Sequence, residues 1–170
     1  KAPGDYWGFY EGIIARILND PDGVDEYKRR FWEYLETDRH IRGQTIPEET
    51  RRCLYELKKN FNLEVVTARD GGIKEGTIEW LNEELPDLFS AIHFNSSWKD
   101  GERKTKAAVC QAIGADFIID DSVEHCNSSA ECGVNAILFG NYGWNSHHEI
   151  HENVTRISDW PSVLEYFIDK

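Results

Sequence analysis

Apolar positions recur three and four apart over the first quarter of the chain. Tyr10, Ile13, Ile14, Ile17 and Leu18 form one stripe, and Tyr27, Phe31, Trp32, Tyr34 and Leu35 form another. That period predicts two amphipathic helices between Tyr6 and Arg42, joined by the turn-forming run Asn19-Asp20-Pro21-Asp22-Gly23. Pro47 suits a helix start, and Glu48 to Asn60 carries Cys53, Leu54, Leu57 and Phe61 on one side with charges elsewhere.

From Leu63 the period changes. Leu63-Glu64-Val65-Val66-Thr67-Ala68 is short and β-branched, as a buried strand requires, and the loop Arg69-Asp70-Gly71-Gly72 separates it from a helical stretch, Lys74 to Glu84. The alternation repeats: Ala91 to Phe94 as strand, Lys104 to Ile113 as helix, Asp116 to Asp120 as strand, Val123 to Cys132 as helix, Asn135 to Phe139 as strand. The tail Trp160 to Ile168 is an amphipathic helix able to close one flank. Serial βα units predict an α/β fold, a Rossmann-like parallel sheet with helices on both faces. Residues 1–45 are expected to form a small N-terminal helical cap, and residues 46–170 the core.

The 170 residues, 40% of them hydrophobic, suffice for one core. A net charge of -12 repels phosphodiester backbones and anionic membrane surfaces, so neither nucleic acid nor membrane is an expected partner. No run reaches the roughly 18 apolar residues of a membrane span, and Lys1-Ala2-Pro3-Gly4 lacks a signal peptide's apolar region. A cytoplasmic protein is the expectation. The chain contains no methionine and so does not open on an initiator residue, as a processed or truncated piece would not. Cys53, Cys110, Cys126 and Cys132 are too sparse and irregular for a disulfide framework and are read as reduced thiols. The sequons at Asn95, Asn127 and Asn153 are read as chance.

In a parallel sheet ligands bind beyond the carboxyl ends of the strands. Thr67 ends one strand beside Ala68 and Arg69, a loop whose amides could receive an anion. Lys104, in Gly101-Glu102-Arg103-Lys104-Thr105-Lys106, stands at a helix start, where its charge and the helix N-terminus both favour an anion. Asp120 and Asp121 end a hydrophobic strand as adjacent carboxylates, a repulsive pair unless a cation is shared, and their hard oxygens suit Mg2+. Singly, each has an ordinary explanation: a β-branched strand residue, a solvated lysine, and a helix cap supplied by one of Asp120, Asp121 and Ser122.

Together, Val65-Val66-Thr67-Ala68-Arg69, Arg103-Lys104-Thr105-Lys106 and Ile118-Ile119-Asp120-Asp121-Ser122 resemble the second, third and fourth motifs of the haloacid-dehalogenase-like (HAD-like) superfamily, especially its 5'-(deoxy)nucleotidase-like members. The loop from Leu138 to Asn145 is similar to the substrate-side loop of that group. The resemblance covers about Pro47 to Ile168. It implies a Mg2+-dependent phosphohydrolase for small phosphate monoesters, possibly nucleotides, acting through an aspartyl-phosphate. Thr67 would hold the phosphoryl group with Ala68 and Arg69 beside it, Lys104 would neutralise nucleophile and phosphate, and Asp120 and Asp121 would bind or orient Mg2+.

The same resemblance implies a first motif, Asp-x-Asp after a hydrophobic strand, whose first carboxylate attacks phosphorus and whose second protonates the leaving group. The nearest match, Asp20 and Asp22, follows a run that reads as helix, and Arg16 would be costly in a central strand. With residues 6–42 as the cap inserted after the first motif, that motif would lie upstream of Lys1. Its strand normally stands between those ending at Thr67 and Asp120, so its absence would leave a gap with two unpaired edges or a rearranged sheet. The alternative is a catalytically inactive HAD-like binding or assembly module. His147 and His151 stand four apart, but without a third ligand they read as polar loop rather than a zinc site. The aromatic N-terminal segment, with Trp7 and Trp32, could wall a pocket or serve as an interface to a partner or a second copy.

Overall fold

The computed structural model describes residues 29–30, 33–34, 37, 43–69, 73–95, 104–146 and 148–168. Most of the expected N-terminal helices, with Asp20 and Asp22, lie outside the described residues; Arg29, Arg30, Glu33 and Tyr34, which lie inside them, are helical.

From Glu48 onward helices and strands alternate: α1 (Glu48–Lys58), β1 (Glu64–Thr67), α2 (Lys74–Glu84), β2 (Ala91–Phe94), α3 (Lys106–Ile113), β3 (Phe117–Asp120), α4 (Val123–Glu131), β4 (Asn135–Phe139), β5 (Val154–Ile157) and α5 (Trp160–Ile168). The fold is α/β, and every strand pair is parallel. The strands nevertheless form two sheets, β1-β2 and β3-β4-β5. Glu64 pairs with Ala91 and Thr67 with Phe94 in the first. Phe117 pairs with Asn135, and Ala136 with Val154, in the second.

Side chains assign the layers. Val66, Ile118, Ala136, Leu138 and Val154 pack with Cys110 of α3 and with Cys126 and Ala130 of α4. The alternate positions Leu63, Ile119, Ile137, Phe139 and Ile157 pack with Leu57 of α1 and Val163 of α5. Val65 and Ile92 share that second side with Leu54 of α1 and Leu81 of α2. Successive strand residues point to opposite faces, so β1, β3, β4 and β5 are covered on both sides. That is why β3 and β4 read as continuous apolar runs instead of alternating ones.

Two caps settle helix starts. Thr105 accepts a hydrogen bond from the Ala108 amide at 3.1 Å, and Ser122 one from the His125 amide at 3.4 Å. Satisfying those amides fixes where each first turn begins. α3 therefore starts at Lys106 and not at Lys104, and of Asp120, Asp121 and Ser122 it is the serine that caps α4.

Candidate functional site at the carboxyl ends of the strands

Thr67 and Asn95 stand at the carboxyl ends of β1 and β2, and Asp120 and the loop after Phe139 at those of β3 and β4. The Asn95 amide donates to the Thr67 carbonyl at 3.0 Å, and the Asn95 side chain donates to the Lys104 carbonyl at 3.1 Å. Thr67 is thereby joined through Asn95 to the segment that starts α3. The Thr67 hydroxyl accepts from the Arg69 amide at 3.2 Å, a local turn that holds the backbone around exposed Ala68.

Asp120 is the electrostatic centre. Its side chain is only 6% exposed, and the Lys106 ammonium donates to its Oδ2 at 2.6 Å. Its Oδ1 accepts from the Ser122 amide at 2.9 Å and lies 3.1 Å from Nδ1 of His125. Burial pushes the carboxyl pKa up, but the His125 hydrogen bond, the adjacent Lys106 charge and the Ser122 amide outweigh it and hold the pKa down at about 2. The group is a carboxylate throughout the physiological range.

Asp121 is exposed and accepts from the Trp144 indole at 3.0 Å through Oδ2. Trp144 stacks on Tyr142 with ring centroids 4.6 Å apart. Behind them Asn145, fully buried, ties the loop down. Its amide donates to the carbonyls of Asp121 and Phe139 at 3.0 and 3.1 Å, and its oxygen accepts from the Tyr142 amide and from Arg156 of β5. The loop after β4 is a prebuilt wall beside Asp121.

The sequence-derived candidates are distributed unevenly. Asp120 and Asp121 stand together, and Thr67 is linked to them through Asn95 and α3. Lys104 is exposed, and the cation that reaches Asp120 is Lys106, two residues on. The Arg69 guanidinium lies on Thr77 at 3.3 Å, on Gln44 at 3.5 Å and 5.8 Å from the centroid of the Trp80 ring. Lys106, His125 and Asn145 were missed. The capping letter Thr105 was the available signal for Lys106, because a cap there puts the next residue in the first turn.

The donors suit Mg2+ in chemistry, two hard carboxylates where the ion usually takes one or two and keeps several waters, with both oxygens of Asp120 already engaged by Lys106, Ser122 and His125 and Asp121 the exposed one of the pair. Among the described residues no group of three or more His, Cys, Asp or Glu side chains is arranged as a metal cage. His147 lies outside the described residues, and Nδ1 of His151 accepts from the Asn153 amide at 3.1 Å.

The four thiols are free. Cys126, fully buried, sits under the site with its sulfur 3.5 Å from the Asp120 carbonyl. Burial, with the Asp120 charge beside it, pushes its pKa up to about 12. Among the described residues no helix is long and apolar enough to cross a membrane.

No protein-family model matches the chain, and no curated protein sequence matches it.

Proposed function

We propose that residues 46–170 are the phosphate-handling core of a HAD-like phosphohydrolase for small phosphate monoesters, nucleotides among them, working with Mg2+. One observation carries the reading. The β1-β2 and β3-β4-β5 sheets part between the strand that ends at Thr67 and the strand that ends at Asp120, which is where a strand bearing an attacking aspartate would stand. Asp120 lines that gap, with Lys106 bonded to it, Asp121 next in the chain and Thr67 at the end of β1. In this reading Thr67 donates its hydroxyl to a phosphoryl oxygen. Lys106, rather than Lys104, supplies the compensating positive charge while held in place by Asp120. Asp120 and Asp121 face the metal, which would offset the phosphate's charge. Hydrolysis breaks the ester P–O bond, adds water and releases an alcohol and inorganic phosphate.

The same gap favours a second reading, a module that holds a phosphate ester without cleaving it. Groups that stabilise a displacement by about 10²- to 10³-fold each have nothing to stabilise without a nucleophile.

The test is hydrolysis of p-nitrophenyl phosphate and a panel of nucleoside monophosphates with Mg2+ or EDTA, for the protein and for Asp20→Asn, Lys106→Met and Asp121→Asn. Turnover that needs Mg2+ and falls in Lys106→Met and Asp121→Asn supports the enzyme, and its loss in Asp20→Asn as well would assign the nucleophile to Asp20. Folded protein without turnover that still binds a monophosphate in a Lys106-dependent way supports the silent module. Absence of both turnover and binding would end the phosphate reading.

A further inference from the structure

The outer edge of β5 lies on the side of the β3-β4-β5 sheet away from β3, and it has no strand partner among the described residues. Its polar groups can be assigned one by one. The Ala136 amide donates to the Asn153 carbonyl at 3.3 Å, and the Gly140 amide to the Ile157 carbonyl at 2.8 Å. The N–H and C=O of one strand residue point the same way, and those of the next residue the opposite way. Asn153, Thr155 and Ile157 therefore face β4, and Val154, Arg156 and Ser158 face outward. The Val154 amide is taken by the His151 carbonyl at 2.9 Å. What is left is a row of acceptor, donor, acceptor and donor: the Val154 carbonyl, the Arg156 amide and carbonyl, and the Ser158 amide, none with a backbone partner among the described residues.

Edge strands are ordinarily blunted by a lysine, a proline, a bulge or a covering segment. Val154-Thr155-Arg156-Ile157 contains no lysine or proline, and its cation is turned away from the edge: the Arg156 guanidinium donates to the carbonyls of Gly140 and Asn145 at 3.2 and 2.6 Å. α5 flanks the edge without covering it, since Thr155 and Ser158 stay exposed. The helix runs back along β5, which brings Phe167 to Phe117 at the start of β3, with ring centroids 5.0 Å apart. Ser162, Glu165 and Tyr166, three and four apart, form one stripe of it. With Thr155 to Ser158 they line an open groove of about 400 Å3. An edge strand with a helix beside it is a geometry in which proteins receive an extended peptide as an added strand.

Charge selects the occupant. Glu152 and Asp159 flank β5 and Glu165 stands in the groove wall, all three exposed. From 148 to 168 the one lysine or arginine is Arg156, and its guanidinium is engaged by the loop after β4. A small molecule offers no row of donors and acceptors at the strand repeat. A second copy pairing β5 on β5 would bring these carboxylates against their own equivalents, and like charges across a strand pair oppose that, on a chain of net charge -12. An extended segment carrying lysine or arginine meets both requirements.

We infer that the outer edge of β5, with Ser162, Glu165 and Tyr166 of α5, is a docking groove for an extended basic segment of a partner polypeptide. The segment adds to β5 as a further strand and sets a lysine or arginine against Glu165. The edge groups run from Val154 to Ser158, so about five residues suffice at the strand repeat. The groove stands on the flank of the sheet opposite the gap beside Asp120 and is independent of any phosphate chemistry.

Amide exchange by NMR and a peptide titration test it. In the protein alone, the Arg156 and Ser158 amides should exchange at least about a hundredfold faster than those of Thr155 and Ile157, which the β4 ladder holds. A fluorescent Thr-Lys-Val-Lys-Val-Lys-Thr peptide is then followed by anisotropy at low salt, beside the same peptide with glutamates for lysines and a third with its backbone amides N-methylated, which cannot complete a ladder. Support is binding of the lysine peptide at least about threefold tighter than the glutamate peptide, with slowing of the Arg156 and Ser158 amides by about tenfold or more. In Glu165→Lys that preference should reverse while the β4 amides stay protected. Four results overturn the inference: edge amides already as slow as that of Thr155 in the protein alone, which means the chain covers its own edge; protection that rises with protein concentration, which assigns the edge to a second copy; equal binding of the methylated peptide, which marks charge attraction without a ladder; and an unchanged preference in Glu165→Lys.

Discussion

Replacing Lys106 by methionine isolates the contact on which the site's electrostatics turn. The substitution keeps most of the side-chain stem and removes the ammonium 2.6 Å from Oδ2 of a carboxylate that is 6% exposed. Breaking a buried pair by removing one partner costs about 3–5 kcal/mol. Here Asp120 retains the Ser122 amide and His125, so the expected loss falls below that range, at about 2–3 kcal/mol. The depressed titration of Asp120 sets a total that His125, Lys106 and the Ser122 amide share. A carboxyl held at about 2 when folded, against an ordinary 3.8, contributes roughly 2–3 kcal/mol at neutral pH, at ~1.36 kcal/mol per unit. The folded-state value is depressed, so this stability is complete above about 3.8 and is lost as pH falls through about 2. Without Lys106 the folded-state pKa moves upward. The gap between variant and wild type should therefore be widest at neutral pH and narrow below about 3.8, as the variant's carboxyl protonates before the wild-type one does at about 2. Urea unfolding between pH 3 and 7 measures it, with a melting temperature lower by about 4–12 °C at pH 7 as the companion readout. A loss under about 0.5 kcal/mol at pH 7, or a gap that stays constant down to pH 3, would refute the assignment of Lys106 as Asp120's principal counter-charge.

Three further outcomes follow from the same structure. Asn145→Ala strands the Asp121 and Phe139 carbonyls and the Tyr142 amide around a fully buried position; it should cost about 3 kcal/mol in urea unfolding, with amide exchange accelerating in residues 140–146 first. Gly140→Ala should be worse than Gly114→Ala, about 2–3 against about 1 kcal/mol. Both glycines have positive φ, but only at Gly140 would a Cβ collide with the Tyr142 ring. Iodoacetamide at pH 8 should label exposed Cys132 in the native protein at least about a hundredfold faster than Cys126, whose thiolate is suppressed. Equal rates would mean that the core opens around Cys126.

The repeat of strand and helix was legible because burial on both faces leaves a long apolar signature: β2 and β4 have the bounds the pattern predicts, as do α2 and α5. β5 was not. Val154 and Ile157 are buried while Thr155 is exposed and Arg156 half-buried, and a four-residue strand with two polar positions is indistinguishable from loop by period alone. The strand-end carboxylates were visible because they interrupt an apolar run. Choosing between Lys104 and Lys106 depended on where a helix starts, which turns on one hydroxyl of Thr105 and one amide. The loop ending at Asn145 was visible, but the role of Asn145 itself was not, since it lies in tying β3, β4 and β5 together across 24 residues of chain.

The division of the sheet also bears on how the molecule comes apart. The ladder from β3 to β5 is continuous, and Asn145 and Arg156 pin its carboxyl end, whereas the β1-β2 pair meets it through side chains of α1, α3 and α5. Dispersion and burial resist separation only over short distances and tolerate sliding, unlike a ladder of backbone bonds. Helices, not a backbone ladder, therefore join β1-β2 to β3-β4-β5, with Leu57 of α1 packed on Ile137 and Val163, and amide exchange is expected to register β1 and β2 before the β3-β4-β5 ladder opens.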